Sequence, residues 1–179
     1  MGMHLLLLTV GLALVCGLWA HEEQESDLSK LSGSWYISAL ASNNSALIAP
    51  GGHFRVFINT LNTEDGNLLG DILVLEEGGC SKVSLVAFKT EDDDRQFTME
   101  FWGHNELHLE EVVPSEFLVL YLINLYEGET SLVANLLVRK PVAEKEFLDT
   151  FEDICEELGL LKEQIVFLDQ TDRCEKFRD

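Results

Sequence analysis

The chain has 179 residues, near the size of one domain, and carries 12 Lys and Arg against 32 Asp and Glu, a formal net charge of -20. That balance argues against a basic patch for nucleic acid or for an anionic membrane, and a hydrophobic share of 46% excludes a disordered acidic tail. The chain opens on an apolar run, Leu5 to Val15, which is too short to span a bilayer. Gly17, Leu18, Trp19 and Ala20 follow it, the small-residue ending of a secretory signal peptide, with only the amino terminus and His4 supplying positive charge ahead of the run. Cleavage after Ala20 is expected to release a single secreted domain, residues 21–179, with no second apolar stretch to act as a membrane anchor.

From Trp35 onward apolar residues recur with period two. Phe54, Val56 and Ile58 alternate with Arg55, Phe57 and Asn59, and Val83, Leu85 and Ala87 follow. Phe97, Met99 and Phe101 alternate with Thr98 and Glu100, and Leu107 and Leu109 with Glu106, His108 and Glu110. Such alternation predicts strands with one buried face. Turn-forming clusters separate the runs: Pro50-Gly51-Gly52, Asp65-Gly66-Asn67, Gly78-Gly79, Asp92 to Asp94, Gly103 and Glu127-Gly128-Glu129. Neighbouring strands are therefore expected to pair as antiparallel hairpins, a major one formed by Phe117 to Ile123 and Leu132 to Val138, and strands fill the region to Arg139.

After Pro141 the period changes. Phe147, Phe151, Ile154 and Leu158 recur at helical spacing, with Leu148 and Cys155 beside them and acidic residues at the remaining positions. This predicts one amphipathic helix over about 143–158, ended by Gly159, and Ile165 to Leu168 then predicts a short closing strand in the segment 164–179. Once Cys16 leaves with the signal peptide, Cys80, Cys155 and Cys174 remain, an odd number for an oxidising compartment. Cys155 falls on the apolar helix face, where a thiol packs as a small hydrophobe, while Cys80 and Cys174 lie in Gly-rich and polar surroundings. A Cys80–Cys174 bridge is expected, with pairing of Cys155 between chains as the alternative.

Many antiparallel strands followed by one helix fit a sandwich or an up-and-down barrel. Gly33-Ser34-Trp35 at the start of the first strand, with Arg139 closing the last long one, resembles the first and third signature motifs of the lipocalins. The spacing of Cys80 and Cys174, the segment Leu122-Ile123-Asn124 followed by Gly128-Glu129-Thr130, and the ending Asp172-Arg173-Cys174 extend the likeness over the whole chain beyond residue 20. Ala41-Ser42-Asn43, Gly52 to Ile58 and Trp102-Gly103-His104-Asn105 are similar to an allergenic salivary member of the salivary and urinary lipocalins of mammals. One motif departs from the pattern. Val112-Val113-Pro114 stands where Thr-Asp-Tyr is usual, which removes the polar pattern of that loop and the basis for a receptor docking on it.

The resemblance implies an all-β chain with one C-terminal helix, an eight-stranded antiparallel up-and-down barrel over about 33–140 enclosing a calyx. Eight strands leave a lumen for one small ligand. In register, the expected ligand-binding residues are Phe54, Val56, Ile58, Leu85, Met99, Phe101, Leu107, Leu120, Leu122, Val133 and Leu137, with Val83 and Phe97 sharing their inward parity. Asn135 is the polar exception, able to orient a hydroxyl or carbonyl. A solid core built from the same side chains is the alternative. Trp35 and Arg139, with Gly33, take structural roles at the closed end, where cation and ring attract.

His104 and His108, with Glu106 and Glu110, do not make His-Glu-x-x-His and lie on an alternating strand pattern, so they read as a solvated strand face, and neither a metal nor a cofactor is expected. Asn43-Asn44-Ser45 is a sequon, which makes Asn43 a candidate glycan acceptor.

The resemblance thus implies a secreted carrier of a small hydrophobic, odorant-like or pheromone-like ligand, with no catalytic residue, and the acidic charge favours neutral ligands over anions. One alternative is a lipocalin with no essential cargo that acts through a cell-surface receptor or a weak homodimer. The other is an enzyme resembling the prostaglandin-isomerising branch, which needs a calyx thiol in cationic surroundings; neither Cys80 nor Cys155 is expected there. Allergenicity is a further implication of the likeness.

Overall fold

In the computed structural model, which describes residues 28–77, 79–168 and 174–178, ten strands form one antiparallel sheet. The expected signal peptide with Cys16 and Trp19, and Gly78, Asp172 and Arg173, lie outside the described residues. The strands are β1 (Gly33–Ser34), β2 (Tyr36–Ser42), β3 (Phe57–Glu64), β4 (Asn67–Glu76), β5 (Gly79–Lys89), β6 (Gln96–Glu100), β7 (His104–Val113), β8 (Phe117–Tyr126), β9 (Glu129–Val138) and β10 (Ile165–Phe167), with a helix α1 (Lys145–Glu157) before the last. Their order in the sheet is β1-β3-β4-β5-β6-β7-β8-β9-β2-β10.

Ten strands replace the eight expected, and the sheet is not a closed ring of ladders. Both differences begin at Trp35, which divides the run Gly33–Ser42. β1 pairs with β3 at one end of the order, while β2 pairs with β9 near the other, so a single run of chain links the two ends without a hydrogen-bonded ring. The tenth strand, β10, lies on the other side of β2, from Ile165–Ala41 to Phe167–Ala39.

Local sequence explains the hairpins. Asp65 and Gly66 take φ of 50° and 80° between β3 and β4, the two-residue turn whose twist matches antiparallel strands and which needs positive φ twice. The β8–β9 hairpin is paired continuously from Tyr126–Glu129 to Phe117–Val138. Phe54, expected in a strand, instead lies in the loop ahead of β3. Pro50-Gly51-Gly52 turns the chain back there, so that the Phe54 N–H donates to the Leu47 carbonyl and Arg55 Nη1 to the Ile48 carbonyl.

Two apolar clusters sit on opposite faces of the sheet. On the inner face Trp35, Leu40, Ile58, Phe97, Leu118, Leu122 and Leu137 are buried. On the outer face Ala39, Ala41, Val119, Ala134, Leu136 and Val138 are buried against Phe151 and Cys155 of α1, and Phe117 stacks on Phe147 at 4.6 Å. The small side chains at 39, 41 and 134 let the helix approach closely. A disulfide joins Cys80 of β5 to Cys174, and from this tail Arg178 lies 4.3 Å over the Tyr36 ring and donates to the carbonyls of Trp35 and Ile58.

Candidate functional site

Inside the sheet lies a cavity of about 110 Å³. Phe54, Val56, Ile58, Leu85, Met99, Phe101, Leu107, Leu120, Leu122, Asn135 and Leu137 line it. Val133 does not: it has the same parity as Asn135 and Leu137 but is fully buried among the inner core side chains. Val83 and Phe97 are likewise not on the cavity wall. The wall also includes residues outside the expected ligand-binding set, namely Leu61 of β3, Leu68, Gly70 and Ile72 of β4, Ala87, Leu109 and Leu118. The signal for the β4 set was the Asp65-Gly66 turn: a two-residue hairpin pairs Glu64 with Asn67 and sets Leu68 and Gly70 across from Thr63 and Leu61.

No charged side chain lines the cavity, so a bound anion would lose its hydration without gaining a partner there. Asn135 supplies the polar side chain. It is 8% exposed, and its amide makes no hydrogen bond to another described residue.

At one end two aromatic pairs tie the loop before β3 to the turn after β6. Phe54 meets Phe101 edge to face, with centroids 5.6 Å apart, and His53 stacks on Trp102 at 3.6 Å. The turn itself is held from within. Asn105 Nδ2 donates to the carbonyls of Phe101 (2.8 Å) and Gly103 (3.1 Å), and Asn124 Nδ2 donates to the Trp102 carbonyl and to Asn105 Oδ1, each at 3.0 Å. Gly103 has φ of 104°, and a Cβ there would collide with the Leu125 carbonyl oxygen, so backbone conformation and space both require glycine.

The opposite end is closed by Trp35 and Arg139. The guanidinium lies 3.8 Å from the indole centroid, while Trp35 Nε1 donates to the Leu31 carbonyl at 2.7 Å. Arg139 spreads its donors over the carbonyls of Pro114, Ser34 and Lys30 at 2.8, 3.0 and 3.0 Å. The departing Val112-Val113-Pro114 segment is thus fastened to the same arginine.

The other singled-out side chains lie away from the cavity. Cys155 is buried under α1, and burial, with Glu152 nearby, pushes its thiol up to about 12. His104 Nδ1 faces Glu100 Oε1 at 2.7 Å, and His108 stacks on Tyr121 at 4.7 Å. Among the described residues no group of three or more His, Cys, Asp or Glu is arranged to hold a metal. Asn43 is exposed in the bend after β2, where its Oδ1 accepts the Leu132 N–H at 2.9 Å. No helix of the described residues is long and apolar enough to cross a membrane.

The chain is similar to known proteins in sequence and fold. Minor allergen Can f 2 of Canis lupus familiaris is 55% identical over 181 residues, covering 99% of this chain and 100% of the allergen. Trichosurin of Trichosurus vulpecula is 36% identical, covering 96% of this chain and 100% of its own. The crystal structure of the possum milk whey lipocalin trichosurin at pH 4.6 with bound 4-ethylphenol matches with a TM-score of 0.74 at 35% identity, over 79% of this chain and 98% of that one. The complex of bovine odorant binding protein with undecanal matches with a TM-score of 0.58 at 28% identity, over 81% and 93% of the two chains. The family model itself spans residues 32–172, from just before β1 through α1 and β10: the chain belongs to the lipocalin / cytosolic fatty-acid binding protein family.

Proposed function

We propose that this chain is a secreted carrier that encloses one small, neutral, apolar molecule, odorant-like or pheromone-like, in the cavity lined by Phe54, Val56, Ile58, Leu85, Met99 and their neighbours. The observation that carries this reading is the cavity itself, apolar throughout except for the Asn135 amide. Its volume of about 110 Å³ is of the order of the engineered apolar cavity of about 150 Å³ that takes up benzene in another protein, so a single ring with a short substituent fits it better than a long chain. The trichosurin structure, with its bound 4-ethylphenol, supports that size class, and the undecanal complex supports the apolar character. No reaction is assigned to the chain: the thiol at Cys155 is held protonated on the far side of the sheet. Export follows from the expected signal peptide at residues 1–20, and Asn43 is the proposed glycan acceptor.

Displacement titration tests this. Protein secreted from cells expressing the full chain is loaded with 1-aminoanthracene and titrated with 4-ethylphenol, medium-chain alcohols and the matching carboxylic acids. Saturable one-to-one binding, stronger for the neutral compounds, is expected. A folded protein that takes up no fluorophore, or that prefers the acids, contradicts the reading. Amino-terminal sequencing of the same material should begin at His21.

A further inference from the structure

The wall of the cavity is not sealed evenly. β4 and β5 are paired without interruption from Leu68–Ala87 to Glu76–Gly79, whereas β5 and β6 are joined only at Phe88–Thr98 and Lys89–Phe97. Continued in register, Ala87 would face Met99 and then Val86 would face Glu100, but the ladder stops before either pair forms. A surface hollow occupies the parting, bordered by Ser84, Val86 and Phe88 on one side and Thr98 and Glu100 on the other. It also reaches Leu85 and Met99, and both of these line the interior cavity. Successive strand residues point to opposite faces, so Leu85 and Met99 are the residues that separate the outer hollow from the interior cavity.

The rim has the chemistry of an approach for apolar molecules. Phe88 is 58% exposed and Val86 40%, an apolar lip on an acidic chain. Between lip and cavity stands Met99, unbranched and adaptable, which can swing aside without moving backbone. Meanwhile the aromatic pairs His53–Trp102 and Phe54–Phe101 stand at one end of the cavity, where Phe54 and Phe101 form part of its wall. We infer that small apolar ligands exchange with the cavity through this side opening between β5 and β6, with Met99 as its gate and Val86 and Phe88 as its outer lip. This route rests on the carrier reading above.

Stopped-flow exchange tests it on protein secreted from the full chain, with 1-aminoanthracene bound and then displaced by excess 4-ethylphenol. The paired substitution Val86→Cys and Glu100→Cys, oxidised to bridge the opening, should slow association and release alike by about tenfold while the equilibrium Kd stays near wild type, because a gate changes the barrier and not the end states. Phe88→Ala needs no bridge and should slow both rates by about threefold, again with Kd held. Release from the bridged protein at the wild-type rate, or wild-type rates in Phe88→Ala, overturns the side opening and leaves the carrier reading standing. A folded wild-type protein that shows no saturable fluorescence overturns both.

Discussion

His53 lies stacked on Trp102, with 3.6 Å between ring centroids and 18° between planes, directly outside the edge-to-face contact of Phe54 with Phe101. The pair fastens a loop with few ladder bonds of its own to a turn that buried asparagines hold rigid. A stacked pair of this kind contributes about 0.5–1.5 kcal/mol beyond area burial. Trp102→Ala should therefore speed amide hydrogen exchange at Phe54 and Arg55, whose N–H groups donate to Leu47 and Gly52, by about twofold to tenfold, while β8–β9 amides keep their protection. Unchanged exchange at both amides would mean that the loop is held by its own hydrogen bonds.

Asn105 and Asn124 are 0% and 2% exposed, and together they satisfy three consecutive carbonyls, those of Phe101, Trp102 and Gly103. Asn105→Ala strands the Phe101 carbonyl and one N–H of the Asn124 amide in the interior, while the Gly103 carbonyl still accepts the Phe101 N–H. Each buried unsatisfied group costs about 1–3 kcal/mol, so urea denaturation should show a loss of about 2–4 kcal/mol with an unchanged m value. A loss below about 0.5 kcal/mol would show that water replaces the side chain there.

Arg139→Lys keeps the charge over Trp35 but removes the planar fork. Three carbonyls on three separate segments, at Lys30, Ser34 and Pro114, share one guanidinium, and an ammonium cannot reach all of them at once. The expected cost is about 1–3 kcal/mol in guanidinium denaturation, with ligand affinity unaffected because the arginine does not touch the cavity. Equal stability of the two proteins would assign the closed end to ring packing alone.

How far the chain could be read in advance depended on what covers each strand. β7 alternates from Asn105 to Leu109 because its outer face is less buried than its inner one, and Leu107 was expected on the inner face. In β8 and β9 both faces are buried, the outer one under α1, so Phe117 to Ile123 and Leu132 to Val138 read as unbroken apolar runs. Periodicity carries no facing information there. Val133 shows the limit: parity gives its direction but not that neighbouring side chains close over it. The partner exchange at Trp35 was invisible for another reason, since strand propensity is the same on either side of the residue where the run changes neighbours. The parting of β5 from β6 is a register property, set by where a ladder stops, and no residue type announces it.

Cys155 makes stability depend on alkaline pH. Its thiol ordinarily titrates at 9.0 and is pushed up to about 12 in the folded chain, so folding favours the protonated form. Above pH 9 the unfolded chain releases this proton while the folded one keeps it, and stability falls as pH rises, by roughly 1.4 kcal/mol per unit, until the folded thiol also titrates. Thermal unfolding followed between pH 8 and 11 should show this decline, and Cys155→Ala should flatten it. For the same reason iodoacetamide at pH 8 should leave Cys155 unmodified in the folded protein. Rapid labelling without unfolding, or an identical slope in the variant, contradicts the burial of the thiol.

Asn135 carries a sharper consequence for specificity. Its amide borders a cavity whose other lining side chains are apolar, and it makes no hydrogen bond within the described protein, so a ligand hydroxyl or carbonyl is its natural partner. A neutral hydrogen bond contributes about 0.5–1.5 kcal/mol net, which is roughly threefold to tenfold in affinity. Wild-type protein should therefore prefer 4-ethylphenol over ethylbenzene by more than their difference in hydration allows. Asn135→Leu replaces the amide with an apolar group of similar size, and should weaken 4-ethylphenol by that factor while ethylbenzene binds as well or better. Competition titrations with both compounds on both proteins measure the ratio directly. If the ratio is the same for the two proteins, the hydroxyl is solvated or bonded elsewhere, and Asn135 serves only as part of the wall.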